Sequence, residues 1–532
     1  MKTINLAIDP WIPVRRRDDT EMRIAPWQIT EPENPVIALA APRPDFNGAL
    51  MQFLIGLLQT AAAPQSHDAW VGWLEQQPSA DELKTLFSSC SDAFELSGDG
   101  ACFMQDFDPL EGEPKPISAL LIDAPGGKSL KDNTDHFVKR GEVSGLCPSC
   151  AAIALFTLQT NAPSGGVGHR TSLRGGGPLT TLVVLDPQGS RLKDTLWRNL
   201  WLNVLDSRVV FRFTGNNDKS ASSDIFPWLS QTRTSESKSG RETTPKDAHP
   251  LQMFWGMPRR IQINWKESEP SECGLCGDAG DAIVTSYITT NYGVNYGGVW
   301  QHPLSPHYID TKTGAPMPIH AQPGGLGYRH WLGWIEGTEV MKPASVISLF
   351  REDTRRRLEG EQLRVWAFGY DMDNMKPRCW YETTFPLFVI DDDAVRSEFA
   401  KRVQTMVDAA TQVAGVLQTC VKEAWFKRPG DARGDTGFLK ESFFQHTESA
   451  FYTMLGGLKT AIEKRDDSRV LSDWHGVLTR EAMALFDYWA ARGDVAAANP
   501  RRIAIAHQKL HKLVYGRKML LDLGVRQKEN SA

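Results

Sequence analysis

Cys147-Pro-Ser-Cys150 and Cys273-Gly-Leu-Cys276 are two CxxC pairs that lie far apart in the chain. A CxxC turn directs two thiolates towards one point, and two such turns complete the tetrahedral set of sulfur ligands that a structural zinc ion requires. Four thiolates leave no open position for a substrate, so a zinc ion here would be structural. Separate burial of unrelated cysteines is the alternative, and a redox role is disfavoured because nothing around either pair resembles a βαβ unit. The sequence therefore predicts a zinc site that closes the fold across distant segments.

The segments around the cysteine pairs are predicted to form a mixed α/β domain. Runs of β-branched or aromatic residues separated by Gly, Pro and polar residues are typical of strands, and they occur at 180–185, 209–213 and 260–265. A helix is expected at about 47–62. Residues 215–250 are mostly Ser, Thr, Asn, Lys and Arg, which predicts a long loop or a partly disordered insertion.

Helical periodicity dominates after about residue 393. Apolar residues recur there at three- and four-residue steps, which predicts helices with one buried face, at 395–426, 438–464, 470–492 and 500–523. Amphipathic helices with short connections favour a four-helix bundle. The predicted fold class is α+β, with a large mixed domain over residues 1–393 and the bundle over residues 394–532.

The composition is that of a soluble globular protein, with 41% apolar and 23% charged residues among 532. Single cores stop growing at roughly 250 to 300 residues, so two domains are expected. No apolar stretch approaches the ~20 residues that span a bilayer, and the N-terminus lacks a secretory pattern, so a cytoplasmic location without membrane contact is expected. The net charge of -5 disfavours a broad DNA-coating face, so any contact with nucleic acid must be local.

A glycine-rich stretch over residues 164–177 carries Arg170 and Arg174. Glycines let a backbone approach a ligand closely, and guanidinium groups can bind phosphates. The stretch matches neither a P-loop nor a Rossmann fingerprint. It predicts contact with nucleic acid, and a flexible loop before the strand at Thr180 is the alternative.

The sequence shows no complete catalytic motif. Asp371 and Asp373 could be taken for a magnesium-binding pair, but no motif supplies the further carboxylates that a nuclease or polymerase needs, so a polar turn is preferred. His302 and His307 lack a third ligand, so a turn held by prolines is favoured there. Nucleophile-elbow, kinase and Walker A signatures are missing, so the chain is expected not to be an enzyme. A zinc-stabilised, metal-dependent nucleic-acid enzyme that uses Asp371 and Asp373 is the alternative.

Several separate blocks, taken in their order along the chain, carry a family resemblance. They are Asn5-Leu-Ala-Ile-Asp-Pro-Trp-Ile-Pro-Val14, Leu146-Cys-Pro-Ser-Cys-Ala-Ala-Ile-Ala-Leu-Phe156, Leu173-Arg-Gly-Gly176, Gly298-Val-Trp-Gln-His-Pro-Leu-Ser-Pro306 and Gly369-Tyr-Asp-Met-Asp-Asn-Met375. Together they span most of the chain, and the sequence resembles the CasA family, the large subunits of the type I-E CRISPR complex Cascade.

The resemblance implies a non-catalytic subunit that binds the other Cascade subunits and crRNA. Such a subunit recognises the protospacer-adjacent motif (PAM) in double-stranded target DNA from the minor groove, promotes local strand separation and R-loop initiation, and helps to recruit the helicase-nuclease. Recognition of the remaining sequence is left to guide pairing. A pure assembly scaffold without DNA contact is a further possibility.

The resemblance also assigns residues that contact nucleic acid. The glycine loop, Ser164 to Gly168, would approach the minor groove, with Gly165 and Gly166 closest and Val167 standing where other members can carry glycine. The segment after Tyr370, with Asp373 and Asn374, would form a hairpin tip that acts as a wedge beneath the PAM. The segment from His136 to Arg140, before the first CxxC pair, resembles a mobile loop near the crRNA handle and the PAM. The full set that the resemblance implies is Phe137, Val138, Lys139, Ser164, Gly165, Gly166, Val167, Gly168, Arg170, Asn291, Asp373 and Asn374.

Overall fold

The computed structural model divides the chain into two compact units, each described below by itself. One consists of Met1–Gln322, Val340–Thr354 and Gly360–Thr384, and the other of Pro323–Glu339, Arg355–Glu359 and Phe385–Ala532. The structure describes residues 3–124, 141–165, 168–189, 192, 194–208, 219–236, 240–267, 269–349, 358, 361–373, 376–390, 392–431, 434–493 and 499–525.

The first unit contains several small sheets. Among the described residues there are four three-stranded sheets and two strand pairs. The three-stranded sheets are Glu21–Ile24, Ile12–Arg16 and Val36–Leu39; Lys115–Pro116, Ser286–Thr290 and Arg260–Ile263; Pro316–Pro318, His307–Ile309 and Met341–Lys342; and Lys376–Leu387, Leu363–Asp373 and Thr180–Leu185. The last three residues of Lys376–Leu387 are assigned to the second unit. The pairs are Asn295–Tyr296 with Glu242–Thr243, and Glu269–Glu272 with Ala279–Ile283.

An apolar helix lies at the centre of the first unit. The helix predicted at about 47–62 is confirmed and begins slightly earlier, as Pro44–Ala61, because Pro44 suits the first helical turn. Its Phe53 ring makes edge-to-face contacts with Trp11, Phe94, Phe103, Phe156 and Trp255. Among the described residues, the other α-helices of this unit are His67–Glu75, Ala80–Ser88, Pro148–Asn161, Leu196–Trp201, Ser222–Ile225 and Ser345–Leu349.

The same aromatic core corrects the prediction for residues 215–250. Trp228 is fully buried and donates its indole N–H to the carbonyl of Ala93 at 2.7 Å. Phe226 packs against Phe94 with a centroid distance of 5.3 Å. The described part of this segment is therefore ordered, since its short apolar island buries enough surface to hold it. The strand predicted at 209–213 lies outside the described residues.

The second unit is helical. Its α-helices in the described part of the chain are Asp393–Trp425, Phe438–Glu463, Asp467–Ala490, Pro500–Val514 and Arg517–Asp522, and the first packs along the next three. The predicted apolar stripe of the first helix is buried, namely Phe399, Val403, Met406, Ala410, Val413, Leu417 and Val421. The continuous helix predicted over 500–523 is wrong, because extended backbone at Gly516 interrupts it. The mixed α+β class with a helical C-terminal region is confirmed.

A segment from before residue 393 belongs to the helical unit. Tyr328 is fully buried there, and its ring stacks on Phe451 with centroids 4.3 Å apart. Trp331 donates its indole N–H to the carbonyl of Pro386 at 2.8 Å. The boundary between residues 393 and 394 stays a prediction, and the compact helical unit includes residues on its N-terminal side. In the part of the chain that the structure describes, no helix has both the length and the apolar character needed to cross a membrane.

Candidate metal centre and nucleic-acid interface

The four cysteines of the two CxxC pairs converge. Their sulfur atoms all lie within 4.8 Å of one another, and Cys147 Sγ is 3.7 Å from Cys276 Sγ. A tetrahedral ion with metal–sulfur bonds of about 2.3 Å separates its sulfur ligands by about 3.8 Å, so the donor set fits one metal ion. Within the described residues, this is the only group of three or more His, Cys, Asp or Glu side chains placed to hold a metal.

Two local structures position the sulfur atoms. Cys147 is the N-cap of the helix Pro148–Asn161, where free backbone N–H groups favour a thiolate. Cys273 and Cys276 lie in the turn between the strands Glu269–Glu272 and Ala279–Ile283. The backbone N–H of Gly274 donates to the carbonyl of Gly145 at 2.9 Å, so the two segments are joined directly beside the cluster.

A cation that the sequence did not reveal borders the cluster. Arg23 Nη2 lies 3.5 Å from Cys147 Sγ and 3.3 Å from Cys276 Sγ, and it forms an ion pair of 2.5 Å with Asp278. Hydrogen bonds with Cys147 and Cys273, together with burial, raise the pKa of Cys150. A bound divalent cation would reverse this by favouring thiolates, and Arg23 would balance part of the resulting negative charge.

The glycine loop lies against the segment that contains Asn291. The carbonyl of Gly168 accepts hydrogen bonds from the backbone N–H groups of Tyr292 at 2.8 Å and Gly293 at 3.3 Å. Gly168 has φ +79°, and a Cβ atom there would lie 2.7 Å from the nitrogen of Tyr292, so this position requires glycine. Ser164, Gly165 and Asn291 are exposed, while Gly166 and Val167 lie outside the described residues.

Arg170 joins a third segment to the first two. Its Nε donates to Ser235 Oγ at 2.8 Å, and the Ser235 hydroxyl donates to the carbonyl of Gly293 at 2.7 Å. Arg170 is half-buried, so its guanidinium is held in place beside the loop rather than extended into solvent.

The expectation that Arg174 meets phosphates is wrong. Only 4% of this residue is exposed, and its guanidinium donates to Thr180 Oγ1 and Ser305 Oγ, both at 3.1 Å, and to Gln52 Oε1. Burial lowers its pKa to about 9. Arg174 therefore anchors the end of the glycine-rich stretch inside the core.

The predicted hairpin tip lies between two long strands. Leu363–Asp373 and Lys376–Leu387 are neighbours in one sheet, and two connecting residues are too few for a parallel crossover, so the strands form an antiparallel hairpin. Asp373 is thus the last residue before the turn, and Asn374 lies outside the described residues. A Cβ atom at Gly177 would lie 2.8 Å from Met372 Cε, so the hairpin runs beside the end of the glycine-rich stretch.

The acidic pair of this hairpin is engaged by an arginine. Arg378 Nε and Nη2 donate to the two carboxylate oxygens of the buried Asp371, at 3.1 and 2.8 Å, and Asp373 lies 4.0 Å from Arg378. Both oxygens of Asp371 are therefore occupied, which argues against the magnesium-binding alternative. His302 is fully buried, its Nδ1 accepts from the N–H of Leu304 at 3.2 Å, and burial lowers its pKa well below the ordinary value, as expected for a structural turn.

Three of the predicted DNA-reading elements are thus neighbours in the first unit. The glycine loop contacts the segment of Asn291, and the end of the glycine-rich stretch contacts the hairpin. Phe137, Val138 and Lys139 lie outside the described residues. Sequence reasoning missed Arg23, whose partners are distant in the chain, and no local motif pointed to it.

Comparison with known proteins identifies the fold and the family. The family model for CRISPR-associated protein Cse1 matches residues 5–485. Thermobifida fusca Cse1 is 16% identical with a TM-score of 0.72, and the match covers 99% of this chain and 99% of that chain. Thermus thermophilus CasA (Cse1) is 16% identical with a TM-score of 0.64, covering 97% of this chain and 99% of that one.

A third structure, of a CRISPR RNA-guided surveillance complex, contains a chain with the same fold. It is 14% identical with a TM-score of 0.62, and the match covers 97% of this chain and 100% of that chain. Identities this low establish a common fold, whereas the family model spans most of the sequence. The resemblance to CasA found in the sequence is therefore confirmed, and the chain belongs to the CRISPR-associated protein Cse1 family.

Proposed function

We propose that this chain is the large, non-catalytic subunit of a type I-E Cascade complex and that it recognises the PAM in double-stranded target DNA. Its partners would be the other Cascade subunits, crRNA and the target duplex, with a helicase-nuclease recruited after target binding. Membership of the Cse1 family supports the assembly, since one structure with this fold comes from a CRISPR RNA-guided surveillance complex.

The observation that carries the DNA-reading part of the proposal is the contact between Gly168 and Tyr292. It holds Gly168 against the segment of Asn291, and Ser164, Gly165 and Asn291 are exposed. These small residues form a surface that a narrow groove can accept. The minor groove distinguishes base pairs poorly and suits backbone and small side chains. A reader of this kind would accept a short and degenerate motif. Arg170 would then act from beside the loop on the DNA backbone.

The hairpin would promote strand separation. Asp373 is the last residue of the first of its two long strands, and polar side chains at Asp373 and Asn374 would offer partners to bases that lose theirs. Opening the first base pairs costs a few kcal/mol, so such partners favour R-loop initiation. The pairing of Asp371 with Arg378 supports a structural role for the hairpin rather than metal-dependent catalysis.

The metal at the cysteine cluster is proposed to be zinc. Cys147, Cys150, Cys273 and Cys276 would bind it as thiolates, and a zinc ion with four thiolates supplies structural cross-linking. The fold of the chain brings the two distant CxxC turns to one point and places Arg23 beside the sulfur atoms.

The C-terminal helices are proposed to form a four-helix bundle that docks against neighbouring subunits. The first long helix packs along the other three, which supports this arrangement. The proposed boundary of the bundle, at residues 394–532, would then be extended in the folded protein by the buried segment around Tyr328.

The test is reconstitution of the complex. The chain is co-expressed with the other Cascade subunits and crRNA, and the binding of target duplex with and without a PAM is measured in complexes with and without it. Preference for PAM-bearing duplex only when the chain is present supports the proposal. If a complex assembles with the chain but shows no such preference, only the role of an assembly scaffold remains. Magnesium-dependent cleavage of nucleic acid by the isolated chain would favour the alternative of a metal-dependent enzyme.

A further inference from the structure

A buried guanidinium lies directly beneath the glycine loop. Only 8% of Arg259 is exposed, and its Nη2 donates to the carbonyl of Pro163. A Cβ atom at Gly165 would lie 2.5 Å from His169 Cβ, 2.6 Å from Arg259 Nη1 and 3.2 Å from Arg259 Nη2. Gly165 itself is exposed. Because it has no side chain, little of the protein lies between the guanidinium of Arg259 and the solvent at this position.

The guanidinium of Arg259 is not satisfied by its own protein. Its Nε is buried and has no hydrogen-bond partner in the part of the chain that the structure describes. Among these described residues, no carboxylate forms an ion pair with Arg259. The adjacent Arg260 is the contrast, because its Nε binds the buried carboxylate of Asp106 at 2.6 Å. A buried guanidinium is ordinarily paired with a carboxylate or, like Arg174, held by several neutral oxygens. Arg259 has an Nε with neither kind of partner and lies beside an exposed loop, which points to a ligand.

The ionisable groups near Arg259 add little negative charge at neutral pH. Burial lowers its pKa to about 10, and Tyr287 is the nearby group that opposes this shift. Burial, Arg259 and Lys115 lower the pKa of His169 to about 4, so His169 is neutral at physiological pH and adds no charge of its own. Arg259 and Lys115 are therefore the cations that act on His169 in the glycine-rich stretch.

We propose that Arg259 is a DNA-contacting residue whose guanidinium reaches an acceptor oxygen of the duplex through the gap left by Gly165. The inference rests on the proposed function, since it takes the glycine loop as the surface on which the duplex lies. A phosphate or groove-edge oxygen of the duplex would be an acceptor for Nη1, the guanidinium nitrogen that lies nearest to Gly165, and would supply the negative charge that Arg259 lacks. Gly165 is then required because any side chain there would cover the guanidinium.

A purely structural role is the competing explanation, in which Arg259 only holds the carbonyl of Pro163. Two substitutions separate the roles. Arg259→Gln keeps a neutral N–H donor and removes the charge, whereas Arg259→Lys keeps the charge and loses the planar fork. Arg208→Gln is the matched control, because Arg208 is an exposed arginine of the same unit that pairs with Asp206.

The experiment uses assembled complexes and a PAM-bearing duplex, with affinity measured at several salt concentrations. Arg259→Gln is expected to weaken binding roughly 5- to 20-fold and to reduce the slope of log K against log salt by about 1, while Arg259→Lys keeps the slope. Arg208→Gln should match wild type. An unchanged salt slope in a well-folded Arg259→Gln complex would overturn the inference.

A second variant covers the case in which Arg259→Gln does not assemble. Gly165→Ala keeps Arg259, but its methyl group would collide with His169 Cβ and Arg259 Nη1 and would cover or displace the guanidinium. A loss of affinity is again expected, and wild-type affinity would overturn the inference. The proposed function fails separately. If wild type prefers PAM-bearing duplex and Gly168→Ala loses that preference while the variants at 165 and 259 do not, only the role of Arg259 is wrong. If wild type shows no preference, both are wrong.

Discussion

The carbonyl oxygen of Gly168 lies 2.8 Å from the backbone nitrogen of Tyr292 and accepts its hydrogen bond. Gly168→Ala would place a methyl group 2.7 Å from that nitrogen at a φ of +79°. Left-handed backbone costs a non-glycine residue about 1–3 kcal/mol, and here the collision adds to it, so the loop must move away from Asn291. We predict a loss of PAM preference in the assembled complex, measured by duplex binding, with a small decrease in melting temperature.

The control for this substitution is Gly314→Ala. Gly314 has a similar φ of +69°, but a Cβ atom there would meet nothing within 4 Å. Both variants therefore carry the cost of a left-handed backbone, but only Gly168→Ala displaces the glycine loop. Equal loss of DNA binding by the two variants would show that destabilisation alone explains the effect.

The cysteine cluster predicts a metal-dependent stability. Cys273→Ser should lower the zinc content, measured by elemental analysis of the purified protein, and should also lower the melting temperature, because folding free energy is coupled to metal binding. Wild type should contain near-stoichiometric zinc. Cys102→Ser is the control, since Cys102 is half-buried and lies outside the cluster. A metal-free wild-type protein that melts at the same temperature as the metal-loaded protein would exclude the site.

The convergence of the cysteines could be predicted because a CxxC spacing directs two thiolates towards one point, and this spacing is visible in the sequence. Arg23 could not, since it reaches the sulfur atoms only through tertiary structure. Arg174 was expected at the surface because its charge suggests exposure, yet neutral oxygens from three segments hold it in the core. The order of residues 225–229 was missed for the opposite reason, since a polar composition concealed one buried tryptophan, Trp228.

The helical unit predicts that residues before 393 are needed for its full stability. Tyr328 is fully buried and its hydroxyl lies 2.9 Å from Thr447 Oγ1. Tyr328→Ala should destabilise the unit by about 3–5 kcal/mol, as other large buried aromatic truncations do. Tyr328→Phe keeps the ring and should cost about 1 kcal/mol. Chemical denaturation measures both, and equal effects would mean that ring packing is not what this segment supplies.

The same contact bears on the expected independence of residues 394–532. A fragment limited to that range lacks Tyr328, so its core would be incomplete around Phe451. We predict strong helical circular dichroism with a lower melting temperature than that of a fragment in which residues 323–339 are joined to the helices by a flexible linker. Identical melting of the two fragments would show that the helices form a complete core alone.

The hairpin predicts a defect that depends on whether the target is already open. Asp373 precedes the turn of two strands that are 11 and 12 residues long, so the tip is carried on a stiff support. The combined substitution Asp373→Ala with Asn374→Ala removes the polar groups that would partner separated bases. We predict weaker binding to a fully paired target and near-normal binding to a target pre-melted beside the PAM, because a bubble has already met the cost of opening.

The comparison of substrates decides between a wedge and a packed turn. If the tip only packs, or if the acidic pair only binds a cation, both targets should be affected alike or neither should. Glu382→Ala is the control, because Glu382 is exposed on the second strand of the same hairpin and away from its tip. It should bind both targets as wild type does. A double variant whose affinities for paired and pre-melted DNA fall by the same factor would remove the wedge from the mechanism, while leaving PAM recognition by the glycine loop intact.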